Sequence, residues 1–134
     1  MMLRQNLLLL SYLVESDTRK FAWGQWDCNL FLSQWVDRIH GVNSTDEIAG
    51  KYSTALGAAK FYKNYMTVPE YLKSWQYKPV DDDQVRTGDI LLEHDKLWVV
   101  PYIVCNDHAY TIHHSANLVK AHIDHLEHLE TWRN

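Results

Sequence analysis

The chain has 134 residues, 46% hydrophobic and 22% charged, with a formal net charge of −4 at pH 7. That length suits one domain able to bury roughly two thirds of its unfolded surface without a disulfide or metal staple, and the composition is that of a globular protein, not a disordered or fibrous one. The acidic balance and the absence of a basic cluster exclude nucleic-acid binding that works by neutralising several phosphates. The two cysteines, Cys28 and Cys105, form neither a disulfide framework nor a Cys-x-x-Cys pair, which fits synthesis in a reducing compartment.

The apolar run Leu7–Leu10, continued by Ser-Tyr-Leu-Val, is far short of the roughly 20 residues needed to cross a bilayer. No small-residue cleavage site precedes Glu15-Ser16-Asp17, so residues 4–15 predict an N-terminal helix packed on the core and not a targeting segment.

The stretch 21–37 organises the rest of the chain. Asp27 has the chemistry of an N-cap, which puts Cys28 at the first position of a helix running to His40, with Gly41 as its C-cap. The spacings from Cys28 to Phe31, Leu32, Trp35 and Ile39 keep one face, so the sulfur tops an apolar stripe. Free amides and the positive end of the helix dipole favour a thiolate there and predict a lowered thiol pKa. Gly24 allows a close turn into the helix, and Trp23 and Trp26 are expected to wall a cleft beside the sulfur. The competing reading of Cys28 is a small core hydrophobe.

Further helices are expected over Ser53–Tyr65 and Val68–Trp75, with a short turn at Ser44–Glu47. Residues 78–83 form an acidic, turn-prone link that lacks the glycine and closing glutamate of an EF-hand loop. Strands follow over 89–93, 97–105, 109–114 and 118–121, with turns at 94–96 and 106–107. Pro101 favours an edge position or a bulge. The tail returns to helical spacing. Helices first and an antiparallel sheet afterwards predict a single α+β domain over 1–134, helical over 1–77, sheet-forming over 85–121 and closed by a C-terminal helix over 122–132.

A thiol nucleophile needs a base within hydrogen-bond reach, generally histidine, and a group to orient that base. The sheet half offers His94 in a turn, His108 before a strand, and His113 and His114 at a strand end. Alternation sends His113 to the face of Thr111, and His114 to the more apolar face of Tyr110 and Ile112. His122, His125 and His128 raise a metal-binding alternative, but consecutive steps of three drift around a helix and no cysteine or carboxylate pattern completes a site. No cofactor is indicated: there is no glycine-rich phosphate loop, nor a Gly-x-Ser-x-Gly turn.

Phe21-x-Trp-Gly-x-x-Asp-Cys-x-x-Phe, with Gly41, Tyr52-Ser53-Thr54, Gly88-Asp89-Ile90 and the closing Thr131-Trp132-Arg133, resembles a small family of phage and prophage proteins similar to the NlpC-type branch of papain-like cysteine peptidases. The resemblance spans nearly the whole chain. It implies a papain-like fold in which the Cys-bearing helix packs on a small antiparallel sheet, with Cys28 at the nucleophile position and His113 or His114 at the third polar position. It also implies a place in a phage tail, at the tip or in assembly, after synthesis in the host cytoplasm, and chemistry on peptide amides of bacterial peptidoglycan.

Those enzymes begin their second strand with His-Val-Gly, whereas the matching segment here, 97–102, has no histidine; His94 lies a few residues early. Asn29-Leu30 stands where Ser-Gly often follows the nucleophile. Two functions are therefore carried forward. One is a catalytically degenerate virion component that binds other tail proteins. The other is an active cysteine amidase or endopeptidase that opens peptidoglycan during DNA entry, with Cys28 as nucleophile, one of His94, His113 or His114 as base, and Trp23, Trp26 and Asp27 around the substrate.

Overall fold

Local capping chemistry sets the helices of the computed structural model, which describes residues 3–81, 84–95 and 98–134. The first helix, α1 (Leu3–Ser16), is followed by α2 (Cys28–His40), α3 (Ala55–Asn64) and α4 (Val68–Ser74), with a 3-10 turn at Ser44–Glu47 between α2 and α3. Each of α2, α3 and α4 starts at a residue whose side-chain oxygen takes a first-turn N–H that the helix itself leaves unsatisfied. Asp27 accepts from Asn29 and Leu30, Thr54 from Gly57, and Thr67 from Glu70, the last as a reciprocal capping box with Pro69 in the first turn. α2 ends where Gly41 turns left-handed at φ 66°, as its sequence position predicts.

The remaining chain forms β1 (Lys78–Val80), β2 (Ile90–His94), β3 (Val99–Cys105), β4 (His108–His113), β5 (Asn117–His122) and β6 (Leu129–Arg133). All pairings are antiparallel and the spatial order is β1-β6-β2-β3-β4-β5. The domain is thus α+β, four helices and a six-stranded antiparallel sheet. Period-two alternation gives the sheet two faces. Ile90, Leu92, Ile103, Cys105, Ile112 and Trp132 meet α1 and α2 through Leu9, Tyr12, Phe31, Leu32, Trp35 and Val36 in the main core. Leu91, Tyr102, Val104 and Ala109 face the other way, beneath Val85, Ile123, Leu126 and Leu129. Among the described residues no helix is long and apolar enough to cross a membrane.

Three expectations are corrected here. The tail is not a helix over 122–132. After a 3-10 turn at Ile123–His125 it becomes β6, inserted between β1 and β2. The three-residue steps of Ile123, Leu126 and Leu129 mimic a helix, but in the structure they carry the chain across the outer face of the sheet. Non-local pairing with Ile90–Glu93 and Lys78–Val80 then overrides local spacing. The link at 78–83 begins with a strand, because Lys78–Val80 pairs with that same β6. Asp82 and Asp83 of the link, Lys96 of the expected turn and Leu97 of the expected strand lie outside the described residues.

Pro101, the third point, sits in an interior strand without a bulge in its pairing to β2, where it faces Leu92. Val104 bonds the β2 side through both its N–H and its carbonyl, so Pro101, of opposite parity, turns its missing N–H toward β4. The β3–β4 ladder has already ended there, at Ile103↔Tyr110. Proline therefore occupies the one side of β3 that needs no donor, and the two strands part at the end where the cleft opens.

Candidate functional site

The parting of β3 and β4 leaves a cleft of about 350 Å³ in front of the start of α2. Cys28 and Asn29 line it from the helix, Val99 and Val100 from β3, and His113 and His114 from the end of β4. Trp98 and Trp23 stack across its mouth with ring centroids 6.0 Å apart, and Phe21 packs edge-on to Trp23 at 4.9 Å. The Phe21 N–H is tied to the Asn117 side chain at 2.8 Å, which anchors the entering loop to β5.

The loop before α2 is held from beneath. Ala22 and Trp26 form a bridge, and Gly24 turns at φ 76° with the Gly50 N–H bonded to its carbonyl at 2.8 Å. A Cβ at Gly24 would lie 1.8 Å from the Tyr52 carbonyl oxygen, so no other residue fits there without moving backbone. The buried Asp27 carboxylate takes the Gly24, Asn29 and Leu30 N–H groups and the Tyr52 hydroxyl. With its proton committed to Asp27, the Tyr52 oxygen is left to accept from Tyr62 at 2.8 Å. Asp27 is therefore a buried scaffold for the helix start, set at the edge of the cleft that Cys28 lines.

The predicted thiolate is not what this environment favours. Burial first and the nearby Asp27 carboxylate second push the Cys28 thiol up to about 12 from its ordinary 9.0, against the smaller opposing pull of the Asn29 and Cys28 amides. Cys28 is partly exposed as a residue, yet the desolvation of its sulfur and a like charge outweigh the helix dipole. The N-terminal position is right; the thiol is not acidic there because desolvation of the sulfur, and after it the cap's own charge, outweigh the helix.

The expected site residues divide. Trp23, Asp27, Cys28, His113 and His114 meet in the cleft. Trp26 does not: it is buried in the main core, edge-on to Phe31 at 5.9 Å, with the Arg19 guanidinium 3.5 Å above its ring. Two tryptophans three residues apart straddle a tight turn, and only the first faces outward. His94 lies at the end of β2 and pairs through Nε2 with Glu130 of β6 at 2.7 Å, outside the cleft lining. His113 is occupied locally, its Nδ1 accepting from the Ser115 N–H at 3.2 Å and contacting the Ser115 hydroxyl at 2.6 Å. His114 packs on His113 and Phe21, with centroids 4.3 and 6.1 Å away. Among the described residues no hydrogen bond joins the Cys28 sulfur to an imidazole.

Residues that the sequence did not single out complete the site: Tyr52 and Tyr62 beneath the cap, Asn29 and Trp98 in the lining. Tyr52 lies within the Tyr-Ser-Thr motif, but no local signal ties it to Asp27. Of the tail histidines, His122 and His125 pack with ring centroids 5.6 Å apart. His122 lies in β5, opposite His108 in register, with Asp107 reaching both rings. His128 turns at φ 56° just before β6. Among the described residues no group of three or more His, Cys, Asp or Glu side chains is placed to hold a metal ion.

Fold and site define an α+β domain with a thiol-bearing cleft where its helical and sheet halves meet. The chain belongs to the DUF6950 family, a domain of unknown function, whose profile matches residues 4–133. No curated protein matches the chain.

Proposed function

We propose that this chain is a papain-like domain of the NlpC type that has lost catalysis and serves as a structural component of a phage tail, binding other tail proteins. The observation that supports the loss of catalysis is that the strand facing Cys28 across the cleft brings Val99 and Val100 and no histidine, beside a thiol whose acidity desolvation weakens. A thiol that keeps its proton, faced by an apolar pair on that strand and by a His113 whose Nδ1 is engaged with Ser115, lacks an activated nucleophile. The tail location rests on the sequence resemblance, from Phe21-x-Trp-Gly-x-x-Asp-Cys to Thr131-Trp132-Arg133.

One observation favours a second reading. His113 and His114 line the same cleft as Cys28, so closure around a peptidoglycan peptide that released His113 from Ser115 would yield a cysteine amidase. Alkylation of Cys28 in a Cys105→Ser background separates the two. The degenerate domain reacts about tenfold faster per pH unit throughout the alkaline range with no plateau below pH 10, as a thiol near 12 requires. An acidic plateau abolished by His113→Ala or His114→Ala would establish the enzyme instead. Mass spectrometry of purified virions tests the location, and absence of the chain from particles overturns it.

A further inference from the structure

Helix α1 carries a second apolar stripe that the domain does not cover. Its inward side, Leu9, Tyr12, Leu13 and Ser16, is buried, whereas Leu3, Leu7, Leu10 and Val14 stand 74%, 59%, 49% and 72% exposed. Steps of four, three and four keep those residues in one line, the a/d seam of a two-stranded coiled coil. None of them joins a hydrophobic cluster of the domain. Together they present on the order of 450 Å² of apolar surface, a size that marks interaction patches.

We propose that this stripe pairs with the same stripe of a second copy, antiparallel about a two-fold axis. The spacing is symmetric about the middle of the helix, so Leu3 of one copy meets Val14 of the other and Leu7 meets Leu10, the self-complementarity that an isologous contact requires. Charge fixes the direction. Arg4 and Glu15 lie about three turns apart on one flank of the stripe. Antiparallel pairing brings Arg4 of each copy beside Glu15 of the other, while parallel pairing would put the two charged flanks on opposite sides of the seam and leave these charges without each other. Glu15 gives one oxygen to Arg38 at 2.7 Å, and among the described residues nothing bonds the other. These rim charges select orientation more than strength. Burial of roughly 900 Å² over both copies lies at the low end of specific interfaces, so the dimer is weak and concentration-dependent.

Sedimentation velocity of the full chain, from low micromolar to millimolar concentration, tests this. The expected result is a shift from monomer to dimer, which Leu7→Glu with Leu10→Glu weakens about tenfold or more while the far-ultraviolet spectrum and Tm stay unchanged. Arg4→Glu alone weakens the dimer several-fold, and adding Glu15→Arg restores it. In the Cys105→Ser background, mixing Leu3→Cys with Val14→Cys chains gives a disulfide-linked heterodimer, whereas Leu3→Cys alone gives none. A monomer at every concentration overturns the proposal, including one whose stripe binds anionic vesicles instead. So does a dimer that survives Leu7→Glu with Leu10→Glu, or one that cross-links Leu3→Cys to itself.

Discussion

The Tyr52 hydroxyl donates a 2.6 Å hydrogen bond to Asp27 Oδ2, joining the segment before α3 to the residue that caps α2. Burial and the Asp27 carboxylate hold that hydroxyl protonated, well above the usual tyrosine range. The bond is charge-assisted and sheltered, so it belongs to the class that contributes about 1.5–3 kcal/mol. Tyr52→Phe is expected to lower stability by about 2 kcal/mol, read as a fall in the urea midpoint at unchanged slope. A midpoint that does not move would mean that the three backbone N–H groups on Asp27 suffice alone.

Two left-handed glycines should respond very differently to the same substitution. At Gly41 an added Cβ meets nothing within 4 Å, so Gly41→Ala carries only the backbone strain of φ 66°, about 1 kcal/mol. At Gly24 the same strain is joined by a collision with the Tyr52 carbonyl, and the loop must shift. Gly24→Ala should cost at least about 3 kcal/mol by thermal or urea unfolding. Equal losses at the two positions would show that the close approach at Gly24 relaxes cheaply.

The helix starts and stops were legible because capping is local: Asp27, Gly41 and Pro69 act within a few residues of where they stand. The α+β class followed from the order of those patterns. The position of β6 was not legible, since a strand placed between β1 and β2 is defined by partners 36 to 55 residues away. The thiol's position was legible and its acidity was not, because acidity depends on what is packed over the sulfur. Of the candidate bases, alternation sent His113 and His114 to opposite faces, yet both line the cleft because β4 ends at His113, while the role of His94 was set by Glu130 on a strand that the sequence did not reveal.

The raised Cys28 value makes a prediction about alkaline stability. A thiol near 12 in the folded chain and near 9 in the unfolded one keeps its proton longer when folded. Stability from this group is thus complete below about pH 9 and is lost as pH climbs toward 12, by up to about 1.4 kcal/mol per unit. The half-buried Tyr65 and the buried Tyr77, each pushed up to about 12, add to the same trend, so the Cys28 share is isolated by difference. Wild type should lose stability faster than Cys28→Ser between pH 9 and 11, with parallel curves below pH 8. Curves that stay parallel to pH 11 would place the thiol at an ordinary value.

Two motif fragments far apart in sequence, Gly88-Asp89-Ile90 and Thr131-Trp132-Arg133, turn out to be the two ends of one ion pair. Arg133 donates through Nε and a terminal nitrogen to the two oxygens of Asp89, both at 2.8 Å, and the Arg86 N–H adds a third bond to the same carboxylate. Asp89 is buried, so removing its cation strands a charge in low dielectric, a loss of about 3–5 kcal/mol for buried pairs. Arg133→Ala should therefore be among the more damaging changes to the sheet. Arg133→Lys should recover only a fraction, because a point charge cannot reproduce the fork. The loss comes from the stranded charge more than from lost packing, and a double-mutant cycle separates them. In an Asp89→Asn background, where no charge is left behind, Arg133→Ala should cost at least about 2 kcal/mol less than in the wild type. An equal cost in both backgrounds would assign the role of Arg133 to its contacts with β1 and the Gln84 carbonyl and rule out the ion pair as the reason these fragments go together.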